Sequence, residues 1–268
     1  MIADFHNDFL TSENCEKVFA EYKKSKNIIV CALFKGERAE KTLLNLARFF
    51  DENKSENLYL SFEDFSVKDE KIANELLSFS PVAVTLTWNN ANFLAGGAKS
   101  DGELTDSGKK LIKKLNEKKI ALDGAHLNEK SFFAAVEFAD TFVVTHTGFK
   151  GVCDVKRNVS DEQIKIVMEK NGLVGLAFYS DFLGGSDENA VVKSVDYFAQ
   201  KFGVKNLCLG TDFFGCEDFP LGYGDYGFEE RFESCLTKLG YKTEHINAIK
   251  FGNLRAFLSN RRLRRDYI

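Results

Sequence analysis

The 268 residues, 44% of them hydrophobic, are enough for one large domain with a substantial core, and no linker composition divides residues 1–268. A net charge of −4 and a pI near 5.7 exclude the clustered basic excess of a nucleic-acid binder from the body of the chain. No stretch approaches ~18 apolar residues, and the start, MIADFHNDFL, lacks a basic region, so neither a membrane partner nor a signal peptide is expected. The six cysteines (Cys15, Cys31, Cys153, Cys208, Cys216, Cys235) are dispersed without a CxxC pair, which fits a reduced, cytoplasmic setting. Cys31 and Cys208 lie inside apolar runs and read as small core residues.

A short apolar strand followed by a helical pattern is the repeating unit. The first strand is Ile2–Phe5, ending at His6; Val18, Phe19 and Tyr22 then share one face of a helix within residues 12–24. The second strand is Asn27–Phe34, and Leu43, Leu46, Ala47 and Phe50 recur behind it at helical spacing. The third is Asn57–Phe62, followed at once by Glu63 and by a polar helix over residues 68–77. The fourth is Val82–Trp88. A Gly-rich loop leads from it to Thr105, the N-cap of a helix lined by Leu111, Ile112 and Leu115.

The fifth strand, Ile120–Ala125, ends at His126, and a helix with Phe132, Phe133, Val136 and Phe138 follows. The sixth, Phe142–Thr145, ends at His146. Ser160 and Gln163 make a capping-box pattern at the start of the next helix. The seventh strand is Leu173–Tyr179, with Val191, Val195 and Phe198 marking its helix. The eighth, Leu207–Thr211, ends at Asp212. A loop rich in glycine and aromatics, residues 213–228, precedes two last helices over about 229–239 and 245–258. The basic tail from Asn260, NRRLRRDYI, reads as a solvated end or an oligomer contact, which leaves a homodimer open.

Eight βα units in about 250 residues predict a (β/α)₈ TIM barrel. Strands that are continuous Val/Ile/Leu runs fit a parallel sheet buried on both faces. An open doubly wound sheet is the alternative, but no GxGxxG follows the first strand.

The chain has four histidines, and three of them, His6, His126 and His146, fall at predicted strand ends beside Asp8, Glu63 and Asp212. In a barrel those ends converge on one mouth. Imidazoles and carboxylates suit zinc and similar metals. Two divalent metals sharing a carboxylate, with Glu63 the candidate bridge, can jointly hold a hydroxide and polarise a carbonyl.

The ordered pieces HND (His6–Asp8), SFE (Ser61–Glu63), LTW-N (Leu86–Asn89), ELTDSGKKLIKKLN (Glu103–Asn116), LDGAH (Leu122–His126), VTH (Val144–His146), KRNVSD (Lys156–Asp161), FY (Phe178–Tyr179) and GTDF-G (Gly210–Gly215) resemble the membrane (renal) dipeptidase family of zinc peptidases. The resemblance spans nearly the whole chain. It implies a metal-dependent dipeptidase of small dipeptide substrates, with two divalent ions, zinc in both positions. His6 and Asp8 would bind one ion and His126 and His146 the other. Glu63 would bridge them, and Asp212 would exchange protons with the bridging water. Arg157 matches the position that holds the substrate carboxylate, or else pairs with Asp154 or Asp161 in its own loop. Tyr179 matches a residue near the substrate pocket, or packs at the barrel mouth. Asp123 is a candidate acceptor for a ligand imidazole N–H, or a barrel-interior polar contact.

The pattern departs from the family at strand 4, where Trp88, followed by Asn89 and Asn90, stands in place of a histidine. An indole is a donor only, so Trp88 or the Asn89 amide could serve an oxyanion but not act as an imidazole acceptor. Two other function classes follow from the residues. One is a different binuclear barrel hydrolase, an amidohydrolase or phosphoesterase, which His6-x-Asp8 in place of HxH disfavours. The other is a catalytically impaired metal-binding homologue, which the retention of Asp212 and Arg157 disfavours.

Overall fold

Parallel strands bury both faces, so they need apolar runs rather than alternation, and β2 (Ile28–Phe34) shows this directly: Ile29 through Leu33 are fully buried. The chain is described here by a computed structural model, with backbone for residues 1–265 and side chains as far as Asn260. The basic tail beyond that point lies outside the described residues. Among the described residues the strands are β1 (Ala3–Asn7), β2, β3 (Leu58–Glu63), β4 (Ala83–Thr85), β5 (Ala121–Asp123), β6 (Phe142–Thr147), β7 (Val174–Leu176) and β8 (Leu207–Leu209). They close in that order into a parallel barrel, the (β/α)₈ architecture expected from the sequence. Asp4 sits opposite Leu209, Phe62 opposite Val84, and Leu122 opposite Phe142.

Helices alternate with the strands: α1 (Cys15–Lys24), α2 (Glu40–Asn53), α3 (Glu70–Ser78), α4 (Asp106–Glu117), α5 (Glu129–Phe138), α6 (Asp161–Glu169), α7 (Ser180–Leu183), α8 (Ala190–Phe202), α9 (Glu229–Lys238), α10 (Thr243–Asn247) and α11 (Asn253–Arg265). Their starts are chemically marked. Thr105 accepts the Gly108 N–H ahead of α4, and Asp69 accepts two N–H groups ahead of α3. Ser160 and Gln163 form the complete capping box of α6. Each such cap is worth about 1 kcal/mol. Phe132 of α5 is fully buried against Phe142, ring centroids 4.9 Å apart, and such a side chain contributes roughly 2–3 kcal/mol by burial. No described helix is long and apolar enough to cross a membrane.

Several boundaries differ from expectation. β4, β5, β7 and β8 are each three residues long, shorter than the apolar runs that contain them. α2 buries Leu44 rather than Leu46, and Phe138 is 46% exposed, with Lys109 over its ring. Tyr179 does not end a strand but is the N-cap of the short α7. A π-helical segment, Ala248–Gly252, interrupts the last predicted helix.

The described chain falls into two compact units. One comprises Met1–Asn7, Lys26–Ile29 and the chain from Val144 onward; the other comprises Asp8–Ser25 and Val30–Val143.

Candidate metal centre

In the unit containing residues 30–143, Glu63 is the last residue of β3 and is buried. β5 stops at Asp123, and the chain turns so that His126 takes a left-handed φ of 66°. That conformation costs a non-glycine residue about 1–2 kcal/mol and needs support. Asp123 Oδ1 accepts the Ala125 N–H at 3.0 Å, while the His126 carbonyl accepts from Ala98 N–H at 2.7 Å and Thr87 Oγ1 at 3.3 Å. The turn sets the ring: His126 Nε2 lies 2.8 Å from Glu63 Oε1, and Nδ1 lies 3.1 Å from Asn89 Oδ1. Asn89 is therefore a side chain found at the ring's outer nitrogen. A carboxylate oxygen of Asp8 lies within 4.8 Å of one of Glu63, both buried. The Trp88 ring is tilted against Phe34 (centroids 5.3 Å apart) and His126 (6.0 Å) and is 42% exposed.

In the other unit, His6 belongs to β1 and His146 to β6, both buried, with ring centroids 3.7 Å apart. Thr145 Oγ1 lies 2.9 Å from His146 Nδ1 and 3.5 Å from His6 Nδ1. Asp212 follows β8 with a left-handed φ of 64°; its N–H donates to the His6 carbonyl, and its Oδ1 lies 3.9 Å from His6 Nε2. Donor atoms of His6, His146 and Asp212 all fall within 4.8 Å of one another. Gly175 and Gly210 have no freedom here: a Cβ on either would sit 1.9 or 1.8 Å from the Thr145 carbonyl oxygen. Their missing side chains let β6, β7 and β8 approach closely enough to seat Thr145.

Arg157 is buried beneath the same strand end. Its Nη2 donates to the His146 carbonyl at 3.0 Å and its guanidinium lies 5.4 Å from the Phe182 ring. Asp161 is bonded by Lys201 and Tyr197. The Tyr179 hydroxyl donates to Asp181 Oδ2 at 2.8 Å; that bond, with burial second, raises its pKa above the usual tyrosine value. The fourth histidine, His245, belongs to α10 and lines a separate cavity of about 350 Å³ with Gln200 and Tyr241.

The donor chemistry fits divalent metals. Two buried carboxylates as close as Asp8 and Glu63 repel unless a cation or a proton lies between them. Each imidazole has Nδ1 against a side-chain oxygen. Outer partners of this kind hold the ring and leave Nε2 as the ligand atom. Thr145 was not identifiable from the sequence, because a threonine inside an apolar strand looks like barrel filling.

Barrel and donor sets together define a class, the metal-dependent (β/α)₈ hydrolases. Within that class the chain belongs to the membrane dipeptidase family, peptidase family M19, whose family model matches residues 80–264. The matched span takes in Trp88, Asn89, His126, His146, Arg157, Tyr179 and Asp212; His6, Asp8 and Glu63 precede it. A Klebsiella pneumoniae protein, described only as uncharacterised and lying in the pqqA 5′ region, is 29% identical over 189 residues, 65% of this chain and 69% of its own. Two further relatives match over 30% and 37% of their own length. A solved structure described as a family M19 dipeptidase superposes with a TM-score of 0.83 at 20% identity, covering 96% of this chain and 97% of that one. A Rhodobacter sphaeroides metallopeptidase, liganded with a phosphinate mimic of the dipeptide L-Ala-D-Ala, gives 0.80 at 18% identity, covering 96% and 98%. At these identities the likeness establishes the barrel.

Proposed function

We propose that residues 1–268 form one catalytic domain hydrolysing the peptide bond of dipeptides at a two-metal centre, with zinc in both positions. Membership of family M19 makes the chain a metal-dependent dipeptidase; the proposal concerns the centre and the roles of its residues. His6 and Asp8 would hold one ion, His126 and His146 the other, with Glu63 between them. The observation that carries this reading is the common orientation of the imidazoles, Nδ1 on Asn89 or Thr145 and Nε2 left for a metal. When bound, divalent ions supply an activated water at neutral pH and a Lewis acid for the scissile carbonyl.

Asp212, beside His6 Nε2, takes the proton of the attacking water and passes it to the leaving amine. Arg157 holds the substrate's free carboxylate. Its Nη2 donates to the His146 carbonyl, so the guanidinium stays registered to a ligand strand while it binds. Tyr179, with its hydroxyl on Asp181, forms a pocket wall. The Trp88 indole N–H and the Asn89 amide N–H serve the oxyanion, while Asn89 Oδ1 keeps the His126 ring in place. A small dipeptide is the substrate this arrangement suits.

Metal analysis of the zinc-loaded protein, combined with a panel of dipeptides and phosphoesters, tests the reading. About two ions per chain, turnover of dipeptides alone, and loss of at least one ion in His126→Ala are expected. A chain that stays metal-free after zinc loading would overturn it. Full loading without turnover on any dipeptide would instead favour an impaired homologue, for which Trp88 is the motivating residue.

A further inference from the structure

We propose that Asp4 is the positioning residue for Asp212 and for the loop that follows β8, an inference resting on the proton-carrying role assigned to Asp212 above. Asp4 lies on β1, fully buried, two residues before His6. Four donors converge on its carboxylate. Oδ2 accepts the hydroxyls of Thr211 and Tyr226, each at 2.6 Å. Oδ1 accepts the Thr211 N–H at 2.8 Å and the His6 N–H at 3.3 Å. A buried carboxylate is tolerated only when its oxygens are satisfied in this way. Burial pushes the Asp4 carboxyl above its ordinary value while these donors pull it back, so the cluster stands on its hydrogen-bond geometry.

Two consequences follow from those bonds. Thr211 is pinned twice by one carboxylate, and the next residue, Asp212, is held in a left-handed conformation with its N–H on the His6 carbonyl. Such a conformation persists only where its surroundings over-determine it. Asp4 and His6 supply that determination from one strand, so the strand that carries a metal ligand also sets where the proton carrier sits. Tyr226 is the second arm. It opens the short 3₁₀ turn Tyr226–Phe228, donates to Asp4, accepts the Asn7 amide N–H at 3.0 Å, and packs on Phe213 at 5.1 Å. The loop 213–228 is therefore tied to β1 near its far end as well as where it leaves β8.

The test uses the zinc-loaded enzyme. Asp4→Asn, which replaces one acceptor oxygen with a donor, should lower kcat by ~10–100-fold. KM should stay within about twofold and metal content should be retained. Amide exchange in residues 213–228 should rise. Tyr226→Phe should reproduce the faster exchange with a smaller loss of kcat. Thr211→Ser keeps the hydroxyl and should behave as wild type, whereas Thr211→Val should lose kcat as Asp4→Asn does. Wild-type kcat in Asp4→Asn would overturn the proposal. If Asp4→Asn fails to fold or sheds metal, the Thr211 pair decides: equal behaviour of the Ser and Val variants refutes it, and a difference confined to kcat upholds it. Asp212→Asn separates the underlying reading, since turnover surviving that change removes Asp212 as proton carrier while leaving the Tyr226 exchange result interpretable.

Discussion

Replacing Asn89 with leucine removes the acceptor from His126 Nδ1 while keeping a side chain of similar size. The hydrogen bond at 3.1 Å is a neutral N–H···O contact, worth about 0.5–1.5 kcal/mol net. Its loss also strands an N–H on a buried ring, which costs about 1–3 kcal/mol. The Glu63 carboxylate at Nε2 and the Trp88 ring still confine the imidazole, which keeps the loss within that span. A fall of about 10–100-fold in metal affinity, or roughly 1.4–2.8 kcal/mol, is therefore expected. Competition against a chromogenic chelator measures it, and Asn89→Asp, which keeps an acceptor oxygen, serves as the control that should bind at least as tightly as wild type. Unchanged metal affinity in Asn89→Leu would refute the ring-holding role. If kcat alone fell, the amide N–H would be acting purely as an oxyanion donor.

Thr145→Val should weaken metal binding by a similar ~10–100-fold, because one hydroxyl serves both His6 and His146, whereas Thr145→Ser should retain it; the same chelator competition reads both. Gly210→Ala places a Cβ 1.8 Å from the Thr145 carbonyl, so thermal unfolding should show a loss of about 1–3 kcal/mol together with weakened metal binding. For Glu229, burial raises the carboxyl, but hydrogen bonds from Lys250 and the chain's amino terminus outweigh it and hold the folded value below the usual glutamate range. A depressed folded value stabilises the protein above about pH 4.3, and that contribution disappears as pH falls through the folded value. Glu229→Gln should therefore flatten the acid limb of Tm against pH, and an unaltered limb would count against the pairing.

The barrel was legible because each strand is a short apolar run and each helix keeps a 3.6-residue stripe. Both patterns are local and survive in the sequence. The strand ends were less so. His126 and Asp212 are presented by left-handed turns, and hydrophobic periodicity carries no information about φ. That is why β5 and β8 stop well before the residues they were expected to deliver. The candidate donors could be picked out because three of only four histidines fell at predicted strand ends. Their supports could not. Thr145 and Asp4 sit inside buried strands, and the Asp4 partners Thr211 and Tyr226 lie more than two hundred residues along the chain from it. Asn89 was noticed only as a substitute for the missing histidine. Its contact with His126 depends on how the loop after β4 folds back, and no spacing rule encodes that.

Trp88 is the chain's single tryptophan, and its ring lies close to both Phe34 and the His126 ring. The tryptophan fluorescence of the protein therefore originates at one point beside the imidazole of a proposed ligand. Partial exposure makes that emission sensitive to anything that covers the indole, and a quenching ion such as copper or cobalt at His126 would darken it. Excitation at the red edge of the absorption band, where the eight tyrosines do not absorb, thus lets occupancy of the centre and arrival of a substrate be followed optically in the unlabelled wild-type chain.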